Sequence, residues 1–316
     1  MLFAERPVAV VFDWDKTLSP HYMQKPIFEE YGVDERSFWA MANKHAQANS
    51  AILGLKCFVE HEYLNAILEL ARNRTFKGLD NAKLSELGQK IQTYPGVEDL
   101  FRRLKAHDVE IYIVTSGIRT MLKDIPFVKD CVTEIYGADF ADYRMDKDGN
   151  PLPYIPTKDK PKAIQSLVRV VIPSDKIRIM HEISKGCQQG NFDPCIGIRA
   201  EERRIPFKHM IYVGDGVSDI YAFDVVRNGG GYTVGVYNPP DPQFDQIEMI
   251  REDGWLDILG VADFRPESTV GTWIMKKVEQ IQFEIRKEQE AAAQVDLVEI
   301  RKHAPAFIHS WGKSVT

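Results

Sequence analysis

The sequence predicts an α/β fold with a mainly parallel sheet, broken after its first strand by a helical insert. Three observations predict it. Apolar runs of strand length end three times at polar, chemistry-bearing residues, about 100 residues apart. Helical periodicity fills the intervals between them. The stretch after the first run, by contrast, contains helical patterns only.

The first run is Val8-Ala9-Val10-Val11, leading into Phe12-Asp13-Trp14-Asp15-Lys16-Thr17-Leu18. In open α/β sheets ligands bind at the carboxyl ends of strands. Two carboxylates one residue apart are costly there, through desolvation and mutual repulsion, and a bound cation is the usual compensation. The second run, Val109-Glu110-Ile111-Tyr112-Ile113-Val114, ends at Thr115-Ser116-Gly117. Hydroxyls and backbone N–H groups at a helix start form an anion site. The third run, His209-Met210-Ile211-Tyr212-Val213, ends at Gly214-Asp215-Gly216-Val217-Ser218-Asp219. Asp215 is expected at the strand end and Asp219 on the first turn of the next helix. A fourth segment, Lys160-Pro161-Lys162-Ala163-Ile164, reads as a helix start, with Ala163, Ile164, Leu167, Val168 and Val171 on its apolar side.

These four segments, in this order, resemble the four motifs of the haloacid dehalogenase-like (HAD) hydrolase superfamily. The resemblance covers roughly 7–20 and 93–240, and Thr115–Arg119 and Gly214–Asp219 look most like its phosphoserine phosphatase branch. It implies a Rossmann-like three-layer core with a helical cap inserted after the first strand. Asp13 becomes the implied nucleophile, forming an aspartyl-phosphate. Asp15 is the implied acid and base, its protonated form favoured by the neighbouring Asp13 and Asp215. Mg²⁺ is the implied metal, a hard cation suited to oxygen ligands. Its implied ligands are the Asp13 and Asp215 carboxylates and the Asp15 backbone carbonyl. Asp219 is an auxiliary carboxylate, acting through a water or by orienting Lys160. Thr115 and the N–H of Ser116 are implied to hold phosphoryl oxygens. Lys160 balances the anionic charge, with Lys158 and Lys162 as neighbouring alternatives.

The implied reaction is Mg²⁺-dependent hydrolysis of a small phosphomonoester. The same intermediate would serve a phosphotransferase or mutase, and a non-catalytic binding protein on the same fold is the reading from another class. Dehalogenation fits less well, because carbon–halogen displacement needs neither the metal site nor leaving-group protonation.

Composition bounds the rest. The chain has 316 residues, 44% hydrophobic, and a formal net charge of -6. That supports a real core and carries no electrostatic footprint for nucleic acid. No run approaches the ~20 apolar residues of a membrane span, and Met1–Pro7 lacks a basic-then-apolar signal layout. A cytoplasmic protein acting on a small phosphorylated metabolite is expected, with no nucleic acid and no membrane. Four irregularly spaced cysteines, Cys57, Cys131, Cys187 and Cys195, are expected as thiols.

The organisation follows. A catalytic core is expected over 1–20 and 93–265, a cap over 21–92, and a helical extension over 266–316. Within the cap the patterns predict helices at Lys25–Tyr31, Glu35–Asn49, Ile52–Ala71 and Asn81–Ile91, with Asp34 as an N-cap. Short strands are expected around Cys131–Tyr136 and Ala138–Tyr143. Asp146–Asn150 starts like a calcium loop, but Pro151 and Thr157 stand where that loop needs glycine and glutamate, so a hairpin turn is predicted. Residues 172–207 form a long interval of open role: a second cap element, a lid or an interaction loop. Gly229–Gly231 reads as a helix stop. In the tail, Ile274, Val278, Ile281 and Ile285 recur at helical spacing. That stripe suits docking on the core, or pairing with a second copy as a homodimer.

Overall fold

The computed structural model describes residues 7–153, 155, 157, 162–187, 196–199, 202–239 and 244–303. Its centre is a seven-stranded sheet. The strands are β1 (Ala9–Phe12), β2 (Glu110–Ile118), β3 (Glu134–Ala141), β6 (Ser166–Arg169), β7 (Met210–Gly214), β8 (Tyr232–Tyr237) and β9 (Ile258–Val261). Their spatial order is β6-β3-β2-β1-β7-β8-β9. Every pairing is parallel except β3 with β6.

β1 is buried on both faces, which is why it reads as an unbroken apolar run. Val8, Val10 and Phe12 pack into one apolar layer, with Phe101, Phe264 and the helical insert. Ala9 and Val11 pack into the other, with Ile179, Met180, Ile183 and Phe223. The chain runs outward from β1 through β2 and β3, then returns to place β7 on β1's other edge. That reversal opens a crevice at the strands' carboxyl ends. Phe12 pairs with both Ile113 and Val213, so β1, β2 and β7 deliver their polar termini at one level.

Between β1 and β2 lie α1 (Lys25–Tyr31), α2 (Glu35–Leu53), α3 (Val59–Arg72) and α4 (Asn81–Gly88), then α5 (Val97–Ala106). Asp34 caps α2 by accepting the Ser37 N–H at 2.8 Å, as its sequence position suggests. α2 runs four residues beyond the expected end, because Gly54 (φ 66°) supplies the left-handed stop. The segment from Ile52 therefore closes α2 instead of opening α3. The Ser50 hydroxyl then accepts the Cys57 N–H at 2.8 Å and turns the chain into α3.

Two further expectations change. The two short strands expected over 131–143 are one continuous strand, β3, preceded by α6 (Arg119–Leu122) and α7 (Pro126–Cys131), which ends at Cys131. The helix expected from Lys160 does not form in the described part: 162–165 carry no helix and lead into β6. Val168, Val170, Val171 and Ile172 are β-branched and favour extended backbone, and β3 pairs with Ser166, Leu167 and Arg169. Gln165 N–H already reaches the Ala141 carbonyl at 2.7 Å. The helix begins only after Pro173, as α8 (Asp175–Lys185). The interval 172–207 thus holds a core helix.

Asp146–Asn150 forms the predicted hairpin turn between β4 (Tyr143–Met145) and β5 (Pro151–Pro153), with Asp146 accepting the Asp148 and Asn150 N–H groups. α9 (Ile220–Asn228) and α10 (Phe244–Glu252) cover the α8 side of the sheet. On the opposite side α11 (Thr269–His303) docks on the core through Val270, Ile274, Val278, Ile281 and Ile285. Among the described residues no helix is long and apolar enough to cross a membrane.

Candidate active site

The carboxyl ends of β1, β2 and β7 meet at one cavity of about 410 Å³. Asp13 follows β1 directly, and its N–H extends the sheet to the Val213 carbonyl at 2.9 Å. Lys16 then takes φ 64°, uncommon for a residue with a side chain. The chain folds back there, and the N–H groups of Thr17, Leu18 and Ser19 all donate to the Trp14 carbonyl. The turn aims Asp15 at the cavity, where the Met23 N–H donates to its Oδ1 at 2.7 Å.

Asp13, Asp215 and Asp219 bring carboxylate oxygens within 4.8 Å of one another. Thr17 Oγ1 donates to Asp215 Oδ1 at 3.2 Å. Asp219 is fully buried, and both its oxygens are engaged. Oδ1 accepts the Tyr212 hydroxyl and the Lys176 ammonium, each at 2.6 Å. Oδ2 accepts the N–H of Asp215 at 3.0 Å and of Gly216 at 3.3 Å. Gly214 makes this approach possible, since a Cβ there would lie 2.4 Å from the Asp219 carboxyl carbon.

Lys176 opens α8 and is 1% exposed. Its ammonium spans Asp219 and, at 3.4 Å, Asp13 Oδ1. Lys160 and Lys158 lie outside the described residues, and Lys162 pairs with Asp142. Among the described residues, the lysine that the fold brings to the acids is Lys176. The rule applied to Lys160 finds it: Lys176 stands at a helix start with Ile179, Met180 and Ile183 at i+3, i+4 and i+7. Tyr212, Thr17 and Tyr63 carry no comparable signal.

Thr115 is buried, and its hydroxyl accepts the Gly117 N–H at 3.0 Å. β2 continues to Ile118 with an irregular register against β3, so Thr115 and Ser116 lie on the strand's end and the helix starts only at Arg119. Ser116 Oγ is buried with no hydrogen-bond partner among the described residues. Its carbonyl accepts the Tyr63 hydroxyl at 2.6 Å, tying α3 to the end of β2.

The electrostatics follow from burial. Burial pushes Asp13 up to about 7, which Asp219 reinforces and Lys176 opposes. Asp15 is pushed up to about 8 by burial and then by the Asp13 charge. Asp215 is raised well above the usual range by burial, Asp219 and Asp13. Burial alone would lower Lys176, but Asp13 and Asp219 outweigh it and hold the ammonium above its ordinary value. Three clustered carboxylates against one lysine leave anionic charge uncompensated among the described residues. Hard oxygen donors with excess negative charge fit a divalent cation such as Mg²⁺. Asp13 and Asp215 have the freer oxygens for it; Asp219 is committed to its four donors.

Residues 10–224 match the family model of haloacid dehalogenase-like hydrolases, and the chain belongs to that family. An uncharacterized protein of Borreliella burgdorferi is 28% identical over 297 residues, 87% of this chain and 97% of that one. Among solved structures, a probable phosphoserine phosphatase from Vibrio cholerae, unliganded, superposes with a TM-score of 0.50 at 14% identity. That match covers 88% of this chain and 68% of the other, and it shows a shared fold. A substrate-bound phosphoserine phosphatase complex gives a TM-score of 0.48 at 17% identity, over 81% of this chain and 93% of that one.

Proposed function

We propose that this protein is a Mg²⁺-dependent phosphatase that hydrolyses a small phosphomonoester through an aspartyl-phosphate on Asp13. The observation that carries the reading is the pairing of two acids with opposite tasks one residue apart. Asp13 faces the Lys176 ammonium at 3.4 Å, which favours its ionised form. Asp15 makes no ion pair among the described residues, and burial and the Asp13 charge favour its proton.

In the proposed reaction an Asp13 carboxylate oxygen attacks phosphorus, and the bond to the leaving oxygen breaks. Asp15 gives its proton to that oxygen, so the product departs as a neutral alcohol. Asp15, now ionised, takes a proton from a water, which attacks phosphorus and releases phosphate and Asp13. Lys176 takes the charge-balancing role first expected of Lys160. Asp219 and Tyr212 hold it toward Asp13, and Ser116 Oγ and the end of β2 offer donors for phosphoryl oxygens. Mg²⁺, held by Asp13, Asp215 and the Asp15 carbonyl, would supply electrostatic stabilisation of the phosphoryl group. Residues 21–92 act as a cap that excludes water and selects the leaving group.

The test is phosphate release from a panel of phosphorylated metabolites with Mg²⁺, comparing wild type with Asp13→Asn. The reading expects release by wild type that is lost in Asp13→Asn and with chelator. Undiminished release by Asp13→Asn would overturn it. Transfer of the phosphoryl group to an added alcohol, with no free phosphate, would instead select the phosphotransferase alternative.

A further inference from the structure

Above the acids, the cavity wall is built by α2, α3 and the segment leading into α1, and its chemistry is uneven. Three aromatic rings lie side by side there: Tyr22 and Trp39 have centroids 4.8 Å apart, and Trp39 and Tyr63 5.2 Å apart. Beside them stands Glu60, in the first turn of α3. Glu60 is half-buried and makes no ion pair among the described residues. Its own backbone N–H donates to it, and the cations that act on it after that are Lys176, Lys56 and His61. Lys176 is held by Asp219 and Asp13. Lys56 lies over the Phe58 ring at 5.5 Å. Burial has raised Glu60 above the usual carboxylate range.

Gln24 adds a second acceptor. It is 1% exposed, lines the same cavity, and its Oε1 has no hydrogen-bond partner among the described residues. Lys16, the other cation on the wall, donates to the Pro20 carbonyl at 3.1 Å and sits against the Tyr22 ring. No arginine lines the cavity among the described residues.

A half-buried carboxylate with no ion-pair partner among the described residues is better compensated by a ligand cation in direct contact than by charges at a distance. Aromatic faces beside it add cation–π attraction, strongest for a desolvated alkylammonium. We propose that the leaving group is cationic: the substrate is the phosphate ester of an amino alcohol, its ammonium seated between Glu60 and the Tyr22–Trp39–Tyr63 wall. The missing guanidinium argues against a leaving group that also carries a carboxylate. This deepens the phosphatase reading and rests on it for turnover, though not for binding.

Two measurements test it. The first is kcat/KM for phosphocholine and phosphoethanolamine against 3,3-dimethylbutyl phosphate, the uncharged isostere of the former, and O-phosphoserine. A preference for the cationic esters over the isostere of about ten- to thirty-fold is expected, the size of a desolvated cation–π contact. Glu60→Gln should shrink that ratio toward one, and Trp39→Leu should lower it partway. Equal kcat/KM for ester and isostere, alongside Asp13-dependent turnover, overturns the inference and leaves the phosphatase reading standing. The second is calorimetric binding of choline and of 3,3-dimethylbutanol to wild type, which needs no turnover. Saturable binding of choline alone is expected. Equal binding, or none of either, overturns the inference whatever the enzyme assay gives, and it does so even where Glu60→Gln fails to fold.

Discussion

Lys176 is the residue on which the site's charge balance turns. Among the described residues, its ammonium is the cation that touches both Asp13 and Asp219. Lys176→Met should lower kcat by about 10²–10³-fold, the usual cost of removing one preorganised electrostatic partner. Lys160→Met should stay close to wild type. Steady-state kinetics on both variants check the assignment, and the opposite pattern would return the role to Lys160. Tyr212 works one step further out, through the acceptor it shares with Lys176. Tyr212→Phe removes a buried hydrogen bond to a charged group, worth about 1.5–3 kcal/mol. It should lower thermal stability and kcat with little change in KM, since the hydroxyl faces Asp219 and not the leaving-group side of the cavity.

At the scale of elements, α8 and α11 each show a helix whose sequence pattern is plain but whose consequence is not. α8 buries Ile179, Met180 and Ile183 against the sheet, and that packing carries Lys176 inward at its first turn. α11 spends its apolar stripe on the core: Ile274 is fully buried, whereas Phe283, on the outer side, is 55% exposed. Ile274→Ala should therefore cost about 2–5 kcal/mol through lost burial and a cavity. Phe283→Ala should fall within about 0.5 kcal/mol of wild type, as for most exposed positions. Urea unfolding of the two variants measures both. Equal effects would mean that α11 does not dock in this orientation.

The whole molecule pays for concentrating carboxylates at one end of its sheet. Without metal, folded Asp13 and Asp15 titrate near 7 and 8, against an ordinary 3.8. Between those limits the folded protein binds protons that the unfolded chain has released, so stability falls as pH rises. His21 and His181, depressed below 6.5, act in the opposite sense, but only where the unfolded chain still protonates them. From about pH 7 to 9 the acids therefore dominate. In chelator the unfolding midpoint should drop across that range. Mg²⁺ should recover more at pH 9 than at pH 7, because a divalent cation competes with the protons for the same oxygens. Thermal scans with and without metal test this; a metal-free midpoint that rises with pH would refute it.

The sequence by itself determined the sheet's central strands, the helical insert, the approximate places of most helices, and the meeting of Asp13, Asp15, Thr115, Ser116 and Asp215. These were legible because each follows an apolar run, and a two-sided buried strand in a parallel sheet ends at a ligand crevice. The tertiary structure brings Lys176 there, while Lys160 and Lys158 lie outside the described residues. Ser166–Ile172 could be read as the flank of a helix, but four of them are β-branched and β3 pairs with Ser166, Leu167 and Arg169, so they form a strand and its exit. The helix begins only after Pro173, at Asp175, and carries Lys176 in its first turn. The tertiary structure also decided that Asp219 is saturated by Tyr212, Lys176 and two backbone N–H groups, and that Glu60 shares a wall with three rings. Such contacts join residues tens to hundreds of positions apart. Periodicity reports which face of an element is buried, and only packing reports what that face meets.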